Sequence, residues 1–329
     1  MSKIQATITA VGGYLPDYIL DNHELSTMMD TSDEWIMTRI GIRQRHILKK
    51  ENTGTSYMAA FAVEEILKKT GTKTEEIDLV ICATTTPDHV FPATAALTCE
   101  RTGIRGALAF DVQAACSGFI VALTTAASMI ETGRYKKALV IGAEKMSSIV
   151  DYDDRATAPI FGDGAGAVLL EATTENFGVI DSILHSDPIG VKHLHLKAGG
   201  SAMPTTHKTI DNRLHYIYQE GQSVFKHAVS DMAEVSAQIM EKNNLTGDDV
   251  AWLIPHQANL RIIDAVQQRT GVDYSKVLIN IDHVGNTSAA SIPLGLWEME
   301  KKFKKGDNII LTAFGAGFTW GAVYLKWGY

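Results

Sequence analysis

An internal repeat restricts this chain more than any other feature. Residues 66–82, ILKKTGTKTEEIDLVIC, lie without gaps on residues 239–255, IMEKNNLTGDDVAWLIP, a displacement of 173 positions. Each copy reads as a helix end, a polar loop with adjacent acidic residues, and a short apolar strand. A second pair is displaced by 170: KKALVIGAE (136–144) falls on GDNIILTAF (306–314), a buried strand in both copies. Two glycine-rich turns follow, FGDGAGAVLLE (161–171) and FGAGFTWGAVYLKW (314–327), each leading into a further strand. Single matches of this kind arise by chance between amphipathic segments. Their common order and near-equal displacement point to a duplicated α/β unit, with halves expected at 1–175 and 176–329.

The remaining pattern agrees with a duplication. Short β-branched runs at Leu79–Ile81, Leu139–Ile141 and Ile309–Leu311 read as strands buried on both faces. Helical periodicity covers Ser56–Lys69, Ser117–Thr132, Ser223–Lys242 and Ala289–Phe303. Buried strands alternating with helices predict an α/β fold of two mixed sheets with helices on their faces. No linker rich in Pro, Gly or Ser divides the halves, so they are expected to share an interface. The stretch His185–His215 shows no clear period and reads as a long excursion.

Composition narrows the function. A formal charge of −8 argues against a general nucleic-acid binder, and an acidic partner would need a local basic patch. The longest apolar run, Ser117–Ile130, is too short for a bilayer, and no secretory signal pattern opens the sequence. Three cysteines without a CxxC pair fit reduced thiols, so a cytoplasmic protein without a disulfide framework or zinc site is expected.

Of these thiols, Cys116 occupies a distinctive place. In QAACSGF (113–119) an extended segment gives way to a helix, where unpaired N–H groups favour thiolate over thiol. The competing account is an unreactive core residue, since cysteine is among the most buried types. Cys82, within a strand, and Cys99, within a helical pattern, read as core. The 170-residue displacement sets Cys116 on Asn286, in HVGNTSAAS, and His256 follows the strand Trp252–Ile254. Ligands in α/β sheets gather at such strand ends, so the three can share a cleft as nucleophile, imidazole and amide donor. The turn Phe314–Phe318 could add a backbone N–H to that of Cys116 as an oxyanion hole. The GDGAG turn (162–166) lacks the spacing for a dinucleotide and reads as a tight turn before a strand. His193 and His195 have no accompanying carboxylate or thiol motif and read as exposed loop histidines rather than metal ligands.

The chain resembles the β-ketoacyl-acyl-carrier-protein synthase III family, the initiating condensing enzymes of type II fatty-acid synthesis. The resemblance runs through DTSDEWIMTRIGIRQRHI (30–47), ACSGF (115–119), IFGDGAGAVLL (160–170), PHQANLRII (255–263), GNTSAASIP (285–293) and FGAGFTWGA (314–322). It implies a thiolase-type fold, two duplicated halves in five α-β-α-β-α layers. It also implies an acyl-CoA starter, malonyl-acyl-carrier protein as second substrate, a homodimer, and no metal or redox cofactor. Cys116 would accept the acyl group, with His256 and Asn286 serving decarboxylation. The N–H groups of Cys116 and Ala316 would form the oxyanion hole; Ala316 stands where the family often has glycine. Phe314 would shield the cleft.

Other positions follow from the same resemblance. Trp35 and Arg155 would sandwich the CoA adenine, with Thr31 and Arg39 nearby, and Asn259 would line the pantetheine tunnel. A helix-face anchor is an equal account of Trp35 from the residues alone. Lys226 and Arg261 would dock the acidic carrier protein. Phe91 would cross the dimer interface to the partner's acyl pocket. The rivals are a polyketide, quinolone or hydroxymethylglutaryl-CoA condensing enzyme, a Cys-His-Asn peptidase, and a non-catalytic acyl carrier.

Overall fold

The computed structural model describes residues 4–329. The first half contributes strands β1 (Gln5–Tyr14), β2 (Tyr18–Asp21), β3 (Gln44–Ile47), β4 (Leu79–Ala83), β5 (Leu108–Val112), β6 (Lys137–Lys145) and β7 (Asp163–Thr173). The second contributes β8 (Gly178–Ser186), β9 (Leu194–Leu196), β10 (Ile217–Gln219), β11 (Trp252–Pro255), β12 (Asn308–Gly315) and β13 (Thr319–Lys326). One sheet runs β1-β7-β6-β4-β5 and the other β11-β12-β13-β8, while β2-β3 and β9-β10 form separate pairs. In the first sheet β4 is parallel to β5 and β6, and β7 runs antiparallel to β6 and β1. In the second, β11 is parallel to β12, and β13 runs antiparallel to β12 and β8. The order β1-β7-β6-β4 therefore repeats as β8-β13-β12-β11. A fifth position in the second sheet is reduced to one bridge between Leu253 and Val277.

Strands buried on both faces require helices on both faces, and the packing supplies them. Helices Thr55–Thr70 and Thr94–Thr102 cover the outside of the first sheet, where Met58, Val63 and Ile66 meet Val80, Leu139 and Ile141. The alternate residues Leu79, Ile81 and Val140 face inward onto helices Gly118–Glu131 and Ser291–Met299. That central pair shares one core with Ile254, Ile309 and Leu311 of the second sheet. On its outer side Leu253 and Ile310 are covered by Met232, Ile239 and Ile262 from helices Gly221–Lys242 and Leu260–Thr270. Each fully buried aliphatic side chain contributes about 1.5–3 kcal/mol, and these side chains gather in an outer cluster on each sheet and a central one between the sheets.

Three sequence expectations are corrected. The repeat runs at 173 residues through the nucleophile region, not 170: the turn Ala115–Ser117 is matched by Ser288–Ala290, and helix start Gly118 by Ser291. Even the left-handed backbone repeats, with φ 47° at Ala115 and 49° at Ser288. The displacement drops to 170 only afterwards, because the second half has the shorter central helix, Ser291–Met299 against Gly118–Glu131. Cys116 is thus the counterpart of Ala289, and Asn286 lies three residues before that point. Secondly, Asp163–Gly166 already belongs to β7 rather than to a tight turn; a Cβ at Gly166 would lie 2.6 Å from the backbone of Pro293 and Leu294, so glycine lets the central helix approach. Thirdly, His185–His215 is not a plain loop: it holds the end of β8, a short turn at Pro188–Lys192, β9 and the helix His207–Asp211.

Candidate active site

Cys116 sits in the turn between β5 and the central helix Gly118–Glu131. Ala115 before it holds a left-handed conformation that a non-glycine residue adopts only when its surroundings enforce it. Those surroundings come from the other half. The Ser117 hydroxyl donates to the Thr319 carbonyl at 2.8 Å, and the Thr319 hydroxyl donates to the Ala114 carbonyl at 3.0 Å. Gly315 passes so close that a Cβ there would lie 2.8 Å from the Cys116 nitrogen. Ala316, next along, lines the cavity onto which Cys116 opens.

The cysteine rests as a thiol. Burial pushes it up to about 12, and the nearby Glu144 carboxylate acts in the same direction, against the Ser288 hydroxyl and the backbone. Withdrawal from water is the largest of these influences.

His256 follows β11, its backbone N–H extending the ladder to the Thr312 carbonyl at 2.8 Å. The side chain is 1% exposed and neither ring nitrogen has a partner. Burial lowers its pKa from 6.5 to about 3, so the imidazole is neutral at physiological pH. A neutral ring offers one N–H donor and one acceptor. Asn286 is fixed differently: its side-chain oxygen accepts the Ser288 backbone N–H at 2.8 Å. Its Nδ2 is therefore the donor left for the cavity.

One cavity of about 860 Å³ joins these groups. Cys116, His256, Asn286, Phe314 and Ala316 line it, as do Trp35, Arg39, Asn259 and Arg261. Asn259 also caps the helix Leu260–Thr270, accepting from the Arg261 N–H at 3.0 Å. Four sequence candidates do not line it: Thr31, Arg155, Phe91 and Lys226. Arg155 nevertheless stands over the Trp35 ring, 4.6 Å from its centroid, and pairs with Asp30 at 3.6 Å. The expected sandwich is thus closed, its two faces touching with no space for a purine between them. The Thr31 hydroxyl is buried without a partner. Lys226 is exposed on the outer helix. Phe91 is 83% exposed beside Val90 at 90%. His195 lines the cavity from β9, while His193 contacts the Glu220 carboxylate and stacks on Phe318.

Sequence reasoning missed Ser288, Glu144 and Gln257. Ser288 holds Asn286 through its N–H, accepts from the Cys116 thiol at 3.5 Å and donates to Glu144 at 3.1 Å. Gln257 ties the His256 loop to the chain leading to Asn286, donating to the Pro255 and Leu278 carbonyls and accepting from the Asn280 and Ile281 N–H groups. For Glu144 a signal existed, since a carboxylate ends the otherwise apolar run ALVIGAE.

The family models described as 3-oxoacyl-[acyl-carrier-protein (ACP)] synthase III and its C-terminal part match residues 110–188 and 240–327. The beta-ketoacyl-[acyl-carrier-protein] synthase III 2 of Bacteroides thetaiotaomicron is 60% identical over 329 residues, covering 100% of this chain and 98% of that protein. The chain belongs to the β-ketoacyl-acyl-carrier-protein synthase III family. The crystal structure of the Aquifex aeolicus 3-oxoacyl-[acyl-carrier-protein] synthase III superimposes with a TM-score of 0.90 at 43% identity, covering 98% of this chain and 100% of that one. The expected thiolase-type fold is therefore the fold of this chain. A polyketide relative is more distant: the priming β-ketosynthase of the R1128 pathway has a TM-score of 0.89 at 32% identity, covering 98% of this chain and 96% of that one. Among the described residues no helix is long and apolar enough to cross a membrane.

Proposed function

We propose that this chain condenses an acyl-CoA starter with malonyl-acyl-carrier protein, the step that initiates type II fatty-acid synthesis. The observation that carries this reading is the meeting of Cys116, a neutral His256 and the donor side of Asn286 on one buried cavity in a member of this family. The halves 1–175 and 176–329 are read as one nucleophile half and one His/Asn half. Cys116 attacks the acyl-CoA thioester, and the N–H groups of Cys116 and Ala316 take up the oxyanion. After CoA leaves, malonyl-carrier protein enters by the same cavity. His256 and Asn286 each give a hydrogen bond to its thioester carbonyl, so that loss of carbon dioxide leaves a stabilised enolate, which attacks the acyl-cysteine. A neutral imidazole suits this role because it keeps one N–H to donate while bringing no charge into the buried site. Two such donors in a water-poor site contribute about 2.7–4 kcal/mol each in other enzymes. These steps require no metal or redox cofactor.

The mouth of the cavity is assigned to CoA through Thr31, Trp35, Arg39, Arg155 and Asn259. The purine slot opens when Arg155 swings off Trp35. Lys226 and Arg261 form the basic contact for the acidic carrier. The exposed Val90–Phe91 tip supports a homodimer in which Phe91 reaches the partner's acyl pocket, with Phe314 closing this chain's own cleft. The cytoplasm is the compartment that suits three reduced thiols.

Intact-protein mass spectrometry after incubation with mixed acyl-CoAs, followed by addition of malonyl-carrier protein, malonyl-CoA or acetoacetyl-CoA, tests this reading. The expected result is one acyl group on Cys116, discharged by malonyl-carrier protein. Discharge by malonyl-CoA or acetoacetyl-CoA instead would reassign the chain to another condensing reaction.

A further inference from the structure

The deepest polar group beside Cys116 has no part in the steps above. Glu144, at the end of β6, is 0% exposed and forms no ion pair among the described residues. Its oxygens accept from the Thr84 hydroxyl at 3.2 Å, the Thr85 N–H and hydroxyl at 3.0 Å, and the Thr86 N–H and hydroxyl at 3.0 and 2.5 Å. These donors already satisfy the carboxylate and clip the 84–86 loop to β6. The further bond, from the Ser288 hydroxyl at 3.1 Å, adds little to that clip, yet the same hydroxyl accepts from the Cys116 thiol at 3.5 Å. Thiol, hydroxyl and carboxylate form an unbroken hydrogen-bonded line from the cavity wall into the core.

We propose that Glu144, acting through Ser288, takes the Cys116 proton as the sulphur attacks and returns it to the departing CoA sulphur. This rests on Cys116 being the acyl acceptor. As the S–C bond forms, the S–H proton passes to the Ser288 oxygen while the Ser288 proton passes to Glu144. When the C–S bond to CoA breaks, its electron pair stays on the CoA sulphur. That sulphur regains a proton through Ser288, and Glu144 is again a carboxylate. No net charge is created in the core, since the negative charge moves from carboxylate to sulphur and back.

The surroundings support the assignment. His256 across the cavity is a poor proton acceptor, whereas burial raises the Glu144 carboxyl towards the range where it can hold a proton. The other titratable groups at this edge are the Cys82 thiol of β4, Asp111 of β5 and Asp88, none of them a cation. Lys145, next along β6, turns away and donates to the Thr53 carbonyl at 2.8 Å. Glu144 and Ser288 are positioning and proton-holding residues rather than groups that touch the acyl chain.

An internal relay leaves a signature in pH. Exchange of one proton between Cys116 and Glu144 does not involve the solvent, so thiolate supply is independent of pH while the carboxylate is ionised. The test is the rate of Cys116 alkylation by iodoacetamide in the full chain from pH 6.5 to 8.5, read by peptide mass. The wild-type rate should change by less than about threefold across that range. Ser288→Ala and Glu144→Gln should restore the ordinary thiol profile, rising about tenfold per pH unit. A wild-type rate that itself climbs tenfold per unit overturns the proposal without needing either variant to fold. A folded Ser288→Ala protein that keeps the flat profile overturns it equally. If the wild type is still acylated by acyl-CoA in those cases, the relay fails while the condensing function stands; absence of acylation would instead remove the function.

Discussion

The unpartnered imidazole of His256 makes a quantitative prediction. In the unfolded chain it titrates near 6.5, and in the fold near 3, because burial disfavours the charged ring and nothing nearby compensates. The folded state then binds fewer protons than the unfolded one at acid pH. Stability from this group is intact above about 6.5 and falls as pH drops towards about 3. At pH 5 the loss relative to pH 8 is about 2 kcal/mol, from 1.36 kcal/mol per pKa unit. Urea unfolding of wild type and His256→Asn at both pH values should show that extra loss in wild type only, whatever the variant's own stability at pH 8. Selective ¹³C labelling of histidine supplies a second readout, in which the resonance missing from His256→Asn should not titrate between pH 5 and 9. A His256 midpoint above 5, or equal acid losses in both proteins, would refute the claim that the ring is neutral and uncompensated in the fold.

Other outcomes follow from the same geometry. Asn286→Asp keeps an acceptor for the Ser288 N–H but loses the donor, so acylation should persist while condensation drops about 10²–10³-fold in a single-turnover assay. Gly315→Ala puts a Cβ 2.8 Å from the Cys116 nitrogen, against backbone that cannot turn aside. It should cost about 1–3 kcal/mol in denaturant unfolding and slow acylation. Arg155→Ala removes one face of the purine slot and should raise the KM for acyl-CoA several-fold with little change in kcat.

Much of the architecture was legible because buried strands and amphipathic helices write their environment into side-chain period. The runs Leu79–Ile81 and Ile309–Leu311 lie inside β4 and β12, and the helix expected at Ser117–Thr132 is one residue shorter at each end. Cys116, His256 and Ala316 share a cavity because each follows a strand end, a position that sequence can mark, whereas Asn286 follows the short helix Ile281–Val284 instead of an extended segment. Charge state was not legible: whether Cys116 is thiol or thiolate depends on how far the whole fold excludes water. Nor was the partnership of Ser288 with Glu144, which spans 144 residues and depends on the turn before the second central helix meeting β6. The Cys116–Asn286 pairing came from carrying the displacement of a downstream strand back across a central helix that is shorter in the second half. Nor was the closed contact of Arg155 on Trp35 legible, because side-chain rotamers of exposed arginines leave no mark in sequence.

The true counterpart of Cys116 has a consequence of its own. Ala289 occupies the same kind of turn, after the same left-handed residue, at the start of the other central helix. It is 1% exposed, and a Cβ on Gly142 would lie 2.3 Å from its carbonyl oxygen. A nucleophile installed there would face protein on every side. The duplication therefore supplied two sockets but one doorway, and a single chain carries one reaction centre where its symmetry has room for two.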